Sequence, residues 1–234
     1  MAAKSLIIIG AGASTIEIID IINDINKFKK EKIKILGILD DSKKVQKKKI
    51  NDIRVIGFVK DIGKFKNNYF FLSILSYKNR FIRDKIIKRL SKLKIRFINI
   101  IHPNAIIGRN SKLGKGCLVY NNSNIFSNTE VGDFTTISPN ASIAPKAKVE
   151  KNCFIGHGVV ISSGSLVKKN SYIGYKSSVI ENIKLNEGSR VMPYSMVNKT
   201  VNQKKTILFG APAKIIGFDN KWKKIWEKKI IKNT

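Results

Sequence analysis

The chain has 234 residues, 43% of them hydrophobic, which is material for one large domain or two modest ones. No apolar run approaches the ~20 residues that span a bilayer, and two cysteines, Cys117 and Cys153, make no disulfide framework. The net charge of +29 is spread over most segments as a bias toward Lys, Ile and Asn, which suits attraction of a polyanionic substrate or coenzyme and excludes the gathered basic stripe of a nucleic-acid binder.

Residues 1–98 alternate strand and helix patterns. The apolar stretch near the N-terminus is too short for a signal peptide and runs straight into glycines, so a cytoplasmic protein is expected. Ser5–Ile9 reads as a compact strand, followed by the turn Gly10-Ala11-Gly12-Ala13-Ser14. An amphipathic helix follows, with Ile18, Ile21, Ile22 and Ile25 on one face. Lys34–Leu39 is a second strand and ends at Asp40-Asp41; Arg54–Val59 and Tyr69–Leu75 are further strands. Asn79–Lys94 is a basic amphipathic helix, and Arg96–Ile101 a last short strand. Such alternation predicts a parallel sheet covered on both faces.

From Ile101 the pattern changes. Every sixth residue from Ile101 to Val197 is Ile, Leu or Val, seventeen positions without a gap. The residue four places after each is mostly small, as at Ala105, Ser111, Cys117, Ser123, Thr129, Ala141, Cys153 and Ser165. This hexapeptide rhythm predicts a triangular solenoid with six residues per face and eighteen per coil. The large aliphatic points inward and the small residue allows a tight corner, so both cysteines are structural. At about 4.8 Å per coil the prism stands roughly 27 Å tall.

The hexads resemble the hexapeptide-repeat acyltransferases, which implies a left-handed parallel β-helix and assembly as a homotrimer. The order of parts narrows the likeness. The Gly10–Ser14 turn, Asp40-Asp41, Ile101-His102-Pro103-Asn104-Ala105 at the junction and Phe209-Gly210-Ala211-Pro212-Ala213-Lys214 near the end are similar to one branch. That branch is the sialic acid O-acetyltransferase and bacillosamine-pathway N-acetyltransferase (NeuD/PglD-like) type. It implies a Rossmann-like nucleotide-sugar domain over residues 1–98, the β-helix over 99–217 and a helical tail over 218–234. It also implies acetyl-CoA as co-substrate, with no metal, bound in a groove between neighbouring subunits. Carried over, Gly10, Gly12, Ala13 and Ser14 would approach the sugar nucleotide, with helix N–H groups toward phosphate. Asp40 and Asp41 would accept hydrogen bonds from its base or ribose. Thr136, Pro145, His157, Gly174 and Tyr175 would line the acetyl-CoA groove. Thr15 stands where the dinucleotide fingerprint has its third glycine, so the turn by itself is an ordinary strand-to-helix connection as readily as a nucleotide site.

One departure matters most. The family's general base is a histidine in a segment like S-x-I-E-H-x-x-x-I-G-D; here Ser123–Asp133 carries Ser127-Asn128 at that place, and a second family histidine is Thr136. A positioned base contributes roughly 10²–10⁴-fold. A sugar hydroxyl needs that help, whereas a neutral sugar amine attacks a thioester first and sheds its proton later. The vacancy therefore favours N-acetylation of a nucleotide-linked amino sugar in glycan or O-antigen precursor synthesis. Two alternatives stay open: O-acetylation with another base, and a silent homologue that binds a sugar nucleotide. Of the two histidines, His102 belongs to the junction. His157 is a base, a CoA contact or a surface residue; it lies on a different face of the prism from Ser127, so the two meet only across a subunit boundary. Glu130, Asp133 and Glu150 are nearby carboxylates with nothing to single one out. Asn220–Lys232 reads as a terminal helix with Trp222 and Trp226 on one side, capping the solenoid or docking on a neighbour; a membrane-surface helix is the rival reading.

Overall fold

Lys4–Ile9 forms strand β1, and its last four residues, Leu6 to Ile9, are fully buried, as a strand covered on both faces requires. The computed structural model describes residues 3–30, 32–75 and 80–219. After β1 come helix α1 (Ala13–Phe28), strand β2 (Ile33–Leu39), the short strand β3 (Lys49–Ile50) and β4 (Ile53–Gly57). β5 (Tyr69–Leu72), helix α2 (Arg80–Leu90) and β6 (Arg96–Phe97) complete the α/β part. The predicted isoleucine stripe is the buried face of α1, joined by Thr15 and Ile19. The sheet order is β3-β4-β2-β1-β5-β6. All its pairs are parallel except β3 with β4. The parallel strands follow the doubly wound order, which reverses between β1 and β5.

Two expectations need correction. β3 is absent from the sequence reading: Asn51 and Asp52, with φ of 41° and 64°, turn the chain back as a two-residue hairpin. The strand expected over Arg96–Ile101 is two strands, because Arg96–Phe97 pairs with β5 whereas Ile100–Ile101 pairs with Leu118–Val119 eighteen residues on.

The chain forms two compact units. One holds the residues to Ala105 together with Lys115–Asn121; the other holds Ile106–Gly114 and the chain from Asn122 on. The first thus takes in the opening strands of the repeat. Within it Tyr120 donates a hydrogen bond to Glu17 Oε2 at 2.7 Å, and His102 Nε2 lies 3.2 Å from Asp24 Oδ2. Glu17 and Asp24 are seven apart on α1 and so share a face. Burial, reinforced by Glu17, pushes the Tyr120 phenol well above its ordinary pKa.

In the second unit each hexad to Val197 yields a two-residue strand paired in parallel with a strand eighteen residues before or after it. Face 1 carries Thr136–Ile137, Phe154–Ile155, Tyr172–Ile173 and Arg190–Val191. Face 2 carries Ile106–Ile107, Asn124–Ile125, Ser142–Ile143, Val160–Ile161, Ser178–Val179 and Met196–Val197. Face 3 carries Lys112–Leu113, Glu130–Val131, Lys148–Val149, Leu166–Val167 and Lys184–Leu185. From Val119 to Val197 every sixth-residue aliphatic is 3% exposed or less, and Cys117 and Cys153 are buried free thiols at small-residue positions. Ile107 is 38% exposed, since no coil lies beneath it.

The corners have their own rule. At fifteen of them, three residues after the aliphatic, φ is positive; seven of these residues are Asn and four are Gly, the types that tolerate the left-handed region. The last coil is closed by a hairpin, Thr206–Gly210 with Ala213–Phe218. The helix expected over Asn220–Lys232, with Trp222 and Trp226, lies outside the described residues. Among the described residues no helix is long and apolar enough to cross a membrane.

Candidate functional site

The glycine turn lies at the C-terminal ends of β1 and β2, the ligand side of a doubly wound sheet. Gly10 has φ of +106° and packs so closely that a Cβ there would lie 2.8 Å from Ser73 Oγ, whereas one at Gly12 would meet nothing within 4 Å. Ser73, at the end of β5, donates to Gly10 O at 2.7 Å, and Thr15 Oγ1 bonds the same oxygen at 2.8 Å. The two hydroxyls are 2.9 Å apart. Thr15, in place of the third fingerprint glycine, is therefore a fully buried brace of the turn.

Both aspartates are engaged by backbone. Asp40 Oδ2 accepts from Ala11 N–H and Oδ1 from Ser42 N–H, each at 2.7 Å. Asp41 Oδ1 accepts from Val59 N–H at 2.9 Å. A carboxylate thus sits on the amide that an open glycine cradle would offer to phosphate. The Thr15 N–H goes to Gly12 O, which leaves Ala13 and Ser14 as the first-turn donors of α1. Asp40→Ala is expected to cost about 1–3 kcal/mol of stability, since it strands two backbone donors. Urea unfolding checks this, and an unchanged midpoint would show the bonds to be dispensable.

In the second unit the candidate residues fall at two corners. Ser127 and Asn128 follow the face 2 strand Asn124–Ile125; Ser127 is half-buried, and Asn128 is exposed with φ of 59° and donates its N–H to Arg109 O at 3.0 Å. Pro145 lies one coil on at the same corner. His157 and Tyr175 stand one coil apart at the corner leading into face 2, both exposed, with ring centroids 5.3 Å apart and planes at 86°. Gly174 is buried beside them, where a Cβ would lie 2.5 Å from Pro193 N. Thr136 is 2% exposed on face 1. The structure therefore groups Ser127, Asn128 and Pro145 at one edge of face 2, and His157, Gly174 and Tyr175 at its other edge. Thr136 joins neither group.

Two of the neighbouring carboxylates are already engaged. Glu130 pairs with Lys148 at 2.6 Å, and that hydrogen bond holds its pKa below the ordinary carboxylate value. Glu150 Oε2 accepts from Lys169 N–H at 3.0 Å. His102 uses both ring nitrogens, Nδ1 accepting from Asn104 N–H at 3.0 Å while Nε2 faces Asp24. Among the described residues no cluster of three His, Cys, Asp or Glu side chains could hold a metal.

The family described as bacterial transferase hexapeptide (six repeats) matches residues 128–163. The second half of this chain is a hexapeptide-repeat β-helix. Perosamine N-acetyltransferase from Caulobacter crescentus, solved with CoA and GDP-perosamine as a His-to-Asn mutant, has a similar fold. Its TM-score is 0.81 at 20% identity, over 92% of this chain and 98% of that one. The acetyltransferase domain of PglB from Neisseria gonorrhoeae, solved with acetyl coenzyme A, gives 0.80 at 18% identity, over 92% and 100%. WeeI from Acinetobacter baumannii gives 0.77 at 18%, again over 92% and 100%. No curated protein sequence matches the chain. These likenesses establish the fold over the matched 92% of the chain: a Rossmann-like α/β unit followed by a left-handed β-helix.

Sequence reasoning overlooked Ser73 and the bracing role of Thr15. The partners of Ser73 lie 58–64 residues away along the chain, so no local spacing marks it, and Thr15 adds to its bond with Gly10, five residues back, a contact with Ser73 that only the fold supplies. The Asn and Gly corners did carry a signal, a second six-residue rhythm offset by three from the aliphatic one.

Proposed function

We propose that the protein is an acetyl-CoA-dependent N-acetyltransferase for a nucleotide-linked amino sugar, acting in the cytoplasm on precursors of a surface glycan or O-antigen. The observation that carries the choice of an amine is the Ser127 corner. Within one chain no imidazole stands there, and the next carboxylate along the chain, Glu130, is tied to Lys148. A neutral amine attacks the thioester carbonyl without prior deprotonation; the thiolate leaves as the amide forms, and the amine proton passes to water or to the thiolate. The fold supports the wider reading, because both units recur in the same order in enzymes solved with CoA and GDP-perosamine or with acetyl coenzyme A. In the perosamine enzyme a histidine mutant still holds both ligands, so ligand binding on this fold survives loss of a histidine.

The assembly proposed is a homotrimer built on face 2. Its outward positions are Ile106, Gly108, Asn124, Phe126, Ser142, Ala144, Val160, Ser162, Ser178, Ile180, Met196 and Asn198. None is charged, in a chain that is 26% charged. Ile106, Phe126, Val160 and Ile180 are 63%, 47%, 43% and 37% exposed, a stripe that monomers rarely leave bare. Face 3 alternates Lys112, Glu130, Lys148, Glu150 and Lys168, as solvent demands. The candidate corners flank face 2, so packing copies there sets both corner groups at the contact between copies.

The test is thiol release from acetyl-CoA with a panel of nucleotide-linked 3-amino and 4-amino sugars and their hydroxyl counterparts. Release is expected with an amino sugar alone. Release with hydroxyl sugars only would overturn the amine assignment, and nucleotide-sugar binding with no release would mark a silent homologue.

A further inference from the structure

Four corners break the Asn/Gly rule: Phe134, Lys146, Lys176 and Tyr194, with φ of 56°, 62°, 52° and 58°. A bulky residue in the left-handed region is strained, and such strain collects at functional positions. Phe134 is 2% exposed and serves packing. Lys176 and Tyr194 are different, because they stand one coil apart at the same corner and Tyr194 is 68% exposed. The core does not require an aromatic there. The Lys176 ammonium lies 5.8 Å from the Tyr194 ring centroid. One residue before each stand Tyr175 and Pro193, with His157 a coil below Tyr175. This edge of the prism thus climbs through an imidazole, a phenol, an ammonium and a second phenol, with no carboxylate among its corner residues.

An exposed aromatic face beside a cation matches a ligand that is flat at one point and anionic next to it. Bases stack on aromatic side chains, and an ammonium pairs with phosphate. Tyr194 also stands about 18 Å up the prism axis from the level of Ser127 at the coil spacing, room for an extended arm between the two levels. We propose that Tyr194 and Lys176 bind the nucleotide end of the acyl donor, with Tyr194 stacking on adenine and Lys176 pairing with its phosphates. The pantetheine arm then runs down past Tyr175 and His157. This rests on the acetyl-CoA reading above and adds that the donor is the nucleotide thioester itself, since a carrier protein or bare pantetheine offers nothing to stack.

The test exploits the strain. Tyr194→Asn and Lys176→Asn restore the ordinary corner residue, so thermal stability should hold or rise while affinity falls. Calorimetry with CoA and with adenosine 3′,5′-bisphosphate on the full chain should show a loss of about 10–100-fold for Tyr194→Asn and a near-wild-type value for Tyr194→Phe. Lys176→Asn should narrow the preference for CoA over 3′-dephospho-CoA if its partner is the 3′-phosphate, and weaken both equally if it is the diphosphate. Unchanged affinity in Tyr194→Asn, with wild-type acetyl transfer intact, would overturn this site alone. Bisphosphate binding that depends on Tyr194, in a protein that transfers no acetyl group, would keep the site and sink the enzymatic reading. A wild-type chain that binds neither CoA nor the bisphosphate would overturn both.

Discussion

Ser127→His is expected to accelerate acetyl transfer to a sugar amine by about 10²-fold and to create measurable transfer to a sugar hydroxyl, because a positioned general base contributes roughly 10²–10⁴. Ser127 is half-buried at a surface corner and its side chain fills no core position, so an imidazole is accommodated without unpacking a coil. The pH dependence separates the mechanisms. In the wild type only neutral amine attacks, so the rate climbs with pH until the amine itself is deprotonated, with no inflection from the enzyme near 6.5. In the variant the new imidazole accepts a proton only when neutral, so its added rate is present above about pH 6.5 and lost as pH falls through that value. Glu130 cannot substitute: the hydrogen bond and charge of Lys148 keep it ionised to lower pH than an ordinary glutamate, which makes it a weaker base. kcat/KM against pH for both proteins checks this. A wild-type profile already bending near 6.5 would reveal a base elsewhere, His157 of a neighbouring copy being first in line.

Val160→Glu combined with Ile180→Glu should break the assembly into monomers and cut activity at least 100-fold, with the coil itself intact. Both side chains point outward from face 2, 43% and 37% exposed, so the substitutions cost the isolated chain little. In a packed assembly each would place an unpaired charge in an apolar contact, a penalty of several kcal/mol per site. Light scattering gives the mass and circular dichroism the integrity of the fold. A trimer that survives would show that copies meet through another surface, and a fully active monomer would show that one chain completes the site alone.

The fold was legible because its grammar is local. A hexad holds one short strand and one corner, the inward residue recurs every six positions, and the burial of Ile125, Ile137, Ile155 and Val179 follows from that rhythm whatever lies beyond the coil. The α1 stripe was legible for the same reason, at a period of 3.6. Other features were settled only in three dimensions. Asp40 and Asp41 read as ligands for a ribose or base, and only the structure shows that their oxygens also accept from Ala11 and Val59 N–H groups of other loops. Ser73 braces a turn 63 residues away. Ile100–Ile101 and Tyr120 belong with the α/β unit because Glu17 and Asp24 on α1 reach the first coil. The contrast between a charge-free face 2 and a charged face 3 emerges only when residues eighteen apart are stacked. Sequence by itself determined the coil, since six-residue spacing sets both strand and corner; tertiary structure decided which polar groups remain free to meet a ligand, because a hydrogen bond between distant segments leaves no periodic trace.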